Sequence, residues 1–334
     1  MKNILLLGAG FSKNWGAPVA SEFFNALIAD AEVRTDKRIH DLLWSFRRTN
    51  FEDALEQLQL AFLQNPAANR EPLLLLQRAI SRVFERINNI FRRQDFELHQ
   101  ERLTQDRTRT VRDFLTKFDA IFTLNQDLLL EIHYFDQYHG LLAGKRRWNG
   151  GSLPGLKAVG PITESTAPWS SRIWTPSGDL RVQQSSQLFF KLHGSTNWRG
   201  ADSNAELMIL GAGKRGAIGE IQLLDQYQRI LADTLQGNGT RLTVIGYGFR
   251  DKHINETLVQ AVRNGLQMYV IDPRGTAIAY EERNDREGLI KGPKSDFEEW
   301  FQMGLYSASI APLRHLLVDE SVDREVLEDF LKGR

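Results

Sequence analysis

Short apolar segments that end in glycine or polar residues recur along the chain and constrain its fold most strongly. The five segments are residues 4–7, 120–124, 188–192, 242–245 and 268–271. Their length and mainly apolar character predict strands of a parallel sheet, and the all-apolar run at residues 4–7 predicts a central strand buried on both faces. Segments with helical spacing lie between them. The sequence therefore predicts an α/β fold, a Rossmann-like parallel sheet with a helical insertion.

The helical insertion is predicted at residues 39–115, where amphipathic spacing continues without a strand signal. This stretch is either an insertion between the first two strands or a second small domain packed on the sheet. The sheet domain is then predicted to comprise residues 1–38 and 116–290, with a C-terminal helical segment at residues 291–334. Residues 140–187 are rich in Gly, Pro, Ser and Trp, which predicts a long irregular segment.

The composition excludes several classes of function. The 334 residues include no cysteine, which removes disulfides, thiolate nucleophiles and cysteine-bound zinc. Lys and Arg together number 42, and Asp and Glu together also number 42, so no overall charge attracts nucleic acid or a membrane surface. Direct nucleic-acid binding is not indicated, because the short basic run at residues 145–148 is typical of a solvated loop. No segment has the roughly 20 apolar residues of a membrane helix, and we expect a cytoplasmic protein.

The first strand leads into a glycine-containing turn, Gly8 to Ser12, just before a predicted helix. Backbone N–H groups at such a turn form a suitable cradle for a pyrophosphate. Lys13 replaces the third glycine of the dehydrogenase fingerprint, which argues against hydride transfer. The glycines are equally compatible with tight packing of the helix on the strand.

Polar residues follow the second and third predicted strands. Asn125 and Asp127 follow one, and His193 follows the other. An amide, a carboxylate and an imidazole at one sheet edge can bind sugar hydroxyls and transfer a proton near neutral pH. A packed histidine and a helix cap at Asp127 are the alternatives. No metal site is predicted, since His133 and His139 are six residues apart, a spacing that does not place them on one helix face.

Four motifs occur in the order seen in sirtuin-like proteins, which the chain resembles from residue 4 to about residue 273. They are Gly8-Ala9-Gly10-Phe11-Ser12, Thr123-Leu124-Asn125-Gln126-Asp127, Lys191-Leu192-His193-Gly194-Ser195 and Val244-Ile245-Gly246-Tyr247-Gly248-Phe249-Arg250-Asp251. Sirtuin deacetylases bind NAD in a Rossmann-like domain and hold zinc with four cysteines, which this chain lacks. The sequence looks closer to bacterial sirtuin-like proteins of anti-phage defence, which hydrolyse NAD.

The resemblance also implies roles for individual residues. Asn125 and His193 take catalytic positions, with Asp127 as a further candidate in the catalytic group. The residues implied to bind the cofactor are Gly8, Ala9, Gly10, Phe11, Ser12, Gly246, Gly248 and Asp272. Two positions depart from the deacetylases: Leu124 replaces a glutamine, and Gly248 replaces a serine.

The function implied by the resemblance is an NAD+ glycohydrolase that yields nicotinamide and ADP-ribose, with NAD as substrate and without zinc. Such an enzyme would harm its own cell, so we expect gating through a homo-oligomer or a partner. Stand-alone proteins of this kind are implied to pair with a hexameric HerA/FtsK-type ATPase. The alternatives are a non-catalytic module that senses NAD or ADP-ribose, and a protein ADP-ribosyltransferase. Asp272 argues against a 2'-phosphate on the substrate.

Overall fold

A computed structural model describes residues 2–47, 51–98, 110–136, 148, 150–159, 168–180, 185–200, 206–211, 214–280, 293–317 and 319–334. Its centre is a seven-stranded sheet in which all neighbouring strands are parallel. In spatial order the strands are β11 (Leu305–Ser309), β10 (Gln267–Ile271), β9 (Thr240–Ile245), β1 (Lys2–Leu7), β2 (Ala120–Thr123), β6 (Gln187–Lys191) and β3 (Gly151–Ser152). This arrangement confirms the predicted Rossmann-like α/β fold.

Among the described residues, seven helices lie between β1 and β2, which confirms a helical region between the first two strands. They are α1 (Ala9–Lys13), α2 (Ala20–Ile28), α3 (Ala31–Thr35), α4 (Lys37–Ser45), α5 (Phe51–Gln64), α6 (Pro66–Phe91) and α7 (Val111–Leu115). The longest, α6, begins with a proline after Asn65, whose side chain accepts a hydrogen bond from the Ala68 N–H. Buried side chains of these helices and of the sheet form one core cluster. The division into separate domains stays a prediction.

The other helices flank the later strands. They are α8 (Lys214–Glu220), α9 (Gln222–Leu235), α10 (Lys252–Arg263), α11 (Asp296–Gly304), α12 (Leu313–Leu317) and α13 (Val322–Lys332), and a π-helical turn at Glu131–Phe135 follows β2. Among the described residues, no helix combines the length and apolar character that crossing a bilayer requires.

A second, four-stranded sheet was not predicted. Its strands, in spatial order, are β4 (Leu156–Ala158), β5 (Trp174–Pro176), β7 (Gly194–Arg199) and β8 (Glu206–Met208). The segment at residues 140–187 was predicted to be irregular, but its described part contains β3, β4 and β5. Strand β11 likewise lies within the stretch that was predicted to be a helical C-terminal segment. These strands are short or half-buried, so they lack a continuous apolar run.

The register of the main sheet aligns the ends of its strands. Leu7 pairs with both Thr123 and Ile245, Thr123 pairs with Lys191, and Ile245 pairs with Ile271. These residues form one row across the sheet, so the residues that follow them lie along one carboxyl edge. From β1 the chain continues to β2, on one side of β1 in the sheet. From β9 it continues to β10 and β11, toward the opposite edge of the sheet. The β1–β9 boundary is therefore a topological switch point, where open parallel sheets bind ligands.

Candidate functional site

Three glycines bring the backbone segments that follow β1 and β9 into close contact at this switch point. A Cβ atom on Gly8 would lie 2.5 Å from the Gly246 carbonyl oxygen, and one on Gly10 would lie 2.7 Å from the Gly246 Cα. Gly246 itself adopts φ +63°, and its Cβ would lie 2.4 Å from the backbone carbon of Gly10. Only glycine fits this approach without displacement of the backbone.

Hydrogen bonds within the protein already engage part of the predicted pyrophosphate cradle. The N–H of Gly10 donates to the Gly246 carbonyl at 2.9 Å, and that of Phe11 donates to the Gly8 carbonyl at 2.9 Å. The Phe11 side chain is buried against Trp15, with ring centroids 4.9 Å apart, whereas Ala9 is exposed at the edge. The glycines therefore serve close packing, and Ala9 is the residue of this turn that faces solvent.

Gly246→Ala should lower the free energy of unfolding by about 2–5 kcal/mol, because a left-handed φ and a backbone clash act together. Gly265→Ala is the matched control, since Gly265 has φ +93° but, apart from its chain neighbours, no described residue has an atom within 4 Å of its Cβ position. The control should lose only about 1–2 kcal/mol. Urea unfolding of the two variants measures the difference, and equal losses would contradict the proposed role of close packing.

Asn125 and Asp127 belong to one hydrogen-bonded network with Ser12. The Asn125 Nδ2 group donates to the Gly8 carbonyl and to Ser12 Oγ, both at 3.0 Å. The Ser12 hydroxyl in turn donates to the Asp127 carboxylate. Asp127 also accepts from the Leu129 N–H at 3.1 Å, as a capping residue would. Both amide protons of Asn125 are thus used within the protein, so its oxygen Oδ1 remains to accept a bond from water or a ribose hydroxyl.

A buried ion pair between Lys191 and Glu131 contacts this network at Asp127. Lys191 Nζ donates to Glu131 Oε1 at 2.7 Å and to the backbone carbonyl of Asp127. Both side chains of the ion pair are at most 2% exposed. Burial raises the pKa of the Asp127 and Glu131 carboxyls, and the Lys191 charge opposes that rise. Oxygen Oε2 of Glu131 is buried and accepts no hydrogen bond from any described residue.

His193 lies on the turn between β6 and β7, where the chain leaves the main sheet for the second sheet. The turn requires Gly194, which has φ +78° and whose Cβ would lie 2.1 Å from the Leu207 carbonyl oxygen. The His193 side chain is 1% exposed. Its Nε2 atom lies 3.1 Å from Nε2 of His253, near the start of α10. The structure therefore gives His193 an imidazole partner that the sequence did not predict.

Asp251 completes this group. Among the described residues, His193, Asp251 and His253 form a cluster able to hold a metal ion, with one donor atom from each within 4.8 Å of the others. The sequence predicted no metal site. Strands β1 and β2 separate β9 from β6, so His193 and His253 follow strands roughly 14 Å apart. No pattern in the sequence predicts that the side chains of His193 and His253 meet when the strands that precede them are so far apart.

The loop from Gly246 to Asp251 is held in a defined conformation. Phe249 adopts a left-handed φ of +54°, which is unfavourable for a phenylalanine. Its carbonyl accepts a 2.7 Å bond from Asn255 Nδ2, and the Tyr247 hydroxyl accepts a 3.2 Å bond from the Asp251 N–H. Non-glycine residues in this region of φ cluster at functional sites. These contacts fix where Asp251 and His253 enter α10.

Asp272 lies at the end of β10 and pairs with Arg274. The Asp272 carboxylate accepts bonds from the backbone N–H of Arg274 at 3.0 Å and from its Nε at 2.9 Å. Gly248 lies nearby, since a Cβ on it would be 3.6 Å from an Arg274 guanidinium nitrogen. Gly248 and Asp272, both implied by the resemblance to bind the cofactor, thus border one arginine. The positive charge of Arg274 weakens the argument that Asp272 alone would repel a 2'-phosphate.

The register of the sheet brings the predicted residues to one edge. A comparison with protein families gives a match over the region that contains most of them. A family model described as a SIR2-like domain matches residues 119–297, more than half of the chain. The match includes Asn125, Asp127, His193 and Asp272, and it begins after the glycine turn. No curated protein matches the chain. With its seven-stranded Rossmann-like sheet, this chain belongs to the SIR2-like domain family, a family of NAD-consuming enzymes.

Proposed function

We propose that the chain is an NAD+ glycohydrolase that cleaves NAD to nicotinamide and ADP-ribose. The observation that carries this proposal is the sheet register, which brings Asn125 and His193 to the carboxyl edge beside the Gly8–Gly246 contact. An amide acceptor and an imidazole near the topological switch point of a parallel sheet suit hydrolysis of an N-glycosidic bond.

The reaction follows from the chemistry of these side chains. The bond from ribose C1' to the nicotinamide nitrogen breaks, and nicotinamide leaves with the bonding electron pair. Positive charge develops on the ribose, and a water oxygen forms the new bond at C1'. His193 accepts the proton that the water loses and returns it to solvent. Asn125 Oδ1 holds the water or a ribose hydroxyl, and Asp127 positions Asn125 through Ser12.

The first experiment incubates the purified chain with NAD and follows the products by mass spectrometry. We expect nicotinamide and ADP-ribose in equal amounts, either from the chain alone or after addition of a hexameric HerA/FtsK-type ATPase. Intact NAD under every condition, with binding still detected by calorimetry, would favour the sensing module. Transfer of labelled ADP-ribose to protein would favour the ADP-ribosyltransferase instead.

We also propose that the activity is gated and serves anti-phage defence, with a homo-oligomer or the ATPase as the gate. Exposed apolar side chains in the N-terminal helices support an interface there: Trp44 is 51% exposed and Leu63 is 74% exposed. Light scattering over a range of concentrations tests the oligomer. A strict monomer at all concentrations, with or without the ATPase, would contradict gating by assembly.

A further inference from the structure

Asp251 and His253, which have no role in the proposed hydrolysis, form a possible metal-ligand set together with His193. Nitrogens Nε2 of the two histidines face each other at 3.1 Å, with a carboxylate oxygen of Asp251 in the same group. Only one proton fits between two imidazole nitrogens at that distance, so one of them presents a lone pair to the other. A histidine nitrogen with a lone pair and the Asp251 carboxylate therefore lie close together.

The donor types indicate which cation fits. Imidazole nitrogen suits zinc, copper, iron and nickel, whereas magnesium and calcium prefer oxygen ligands. Zinc binds histidine nitrogen at about 2.0–2.1 Å, so two such ligands at a tetrahedral angle lie roughly 3.4 Å apart. The two histidines are already close to that separation, and a carboxylate oxygen of the half-buried Asp251 lies within 4.8 Å of a ring nitrogen of each histidine. Two histidines and one carboxylate also leave a coordination position open.

We infer that His193, Asp251 and His253 form a binding site for a divalent transition metal of the zinc class, and that the bound metal keeps the enzyme inactive. The metal occupies His193 Nε2, so that nitrogen no longer accepts a proton. It also ties the loop after β9 to the turn after β6, across the ends of β1 and β2. This is the edge where Gly8 and Asn125 lie. The inhibitory part rests on the proposed NAD hydrolysis, whereas the binding part does not.

The binding test uses the full chain after treatment with a chelator. Titration with Zn²⁺ in a calorimeter should show one saturable site per chain, and Co²⁺ should give the visible absorption of a nitrogen- and oxygen-liganded ion. Mg²⁺ should do neither. His253→Ala and Asp251→Asn should each weaken Zn²⁺ binding at least tenfold. His315→Ala is the matched control, because His315 forms an exposed pair with Asp319 at 3.9 Å and should bind as the wild type does.

The activity test measures NAD consumption with Zn²⁺ and again after chelation. Zn²⁺ should slow consumption at least tenfold, chelation should restore it, and any hydrolysis by His253→Ala should be insensitive to Zn²⁺. Absence of saturable Zn²⁺ binding, or equal binding by wild type and both ligand variants, would overturn the metal site. Zn²⁺ that binds there without slowing hydrolysis would overturn the inhibitory role. Metal binding without any NAD consumption would count against the proposed hydrolysis alone.

Discussion

Replacement of His193 by alanine is expected to slow NAD hydrolysis by about 10²–10⁴-fold, the usual contribution of a positioned general base. The turn at Gly194 holds the buried His193 side chain at the carboxyl edge of the sheet. His253 lies 3.1 Å away but enters from α10, on the far side of β1 and β2. Initial rates of nicotinamide release, measured with saturating NAD, give the comparison with the wild type.

Asn125→Ala should slow the same reaction by about 10²-fold or more, because water or ribose is then no longer oriented at C1'. The exposed His315→Ala variant is the control and should retain the wild-type rate. Urea unfolding of each variant separates a loss of chemistry from a loss of fold. Wild-type rates in His193→Ala or Asn125→Ala, at unchanged stability, would contradict the assignment of these residues.

The central strands were predictable because burial on both faces leaves a clear mark on the sequence. Residues 4–7 are continuously apolar and stop at a glycine, and the other central strands are mainly apolar runs that stop at a glycine or a polar residue. The edge strand at Leu305–Ser309 alternates small, polar and aromatic residues, since it is only half-buried. A sequence without an apolar run gives no strand signal there.

The site was predictable to the extent that it depends on strand ends. Thr123 and Lys191 pair across neighbouring strands. Asn125 comes two residues after Thr123 and His193 comes two residues after Lys191, so both lie at the same edge of the sheet. The contact between His193 and His253 depends instead on the path of a loop over two intervening strands. The Ser12 link from Asn125 to Asp127 depends on the rotamers of three buried side chains. Neither kind of information is present in the spacing of residues.

Lys191→Met should destabilise the protein by about 3–5 kcal/mol, the usual cost of leaving one partner of a buried ion pair without the other. Lys191 and Glu131 are both nearly inaccessible to solvent, and Glu131 Oε2 already accepts no bond from a described residue. Without the lysine, the Glu131 charge loses the cation that offsets its burial. Urea unfolding at about pH 7 should therefore show a large decrease in the midpoint.

Lys191→Met combined with Glu131→Leu provides the matched test, because it removes both charges and keeps apolar volume in the same space. The double variant should recover more than half of the stability that Lys191→Met loses, as apolar replacements of buried pairs often do. Burial raises the pKa of Glu131 above its ordinary value, and removal of Lys191 removes the charge that opposes this rise, so at pH values between the unfolded and folded pKa the native state binds more protons than the unfolded chain. Stability carried by such a group falls as pH rises, and the single variant should regain stability as the pH is lowered toward about 5. A double variant less stable than Lys191→Met, or a single variant that loses stability over this range, would show that the ion pair contributes through packing rather than through charge.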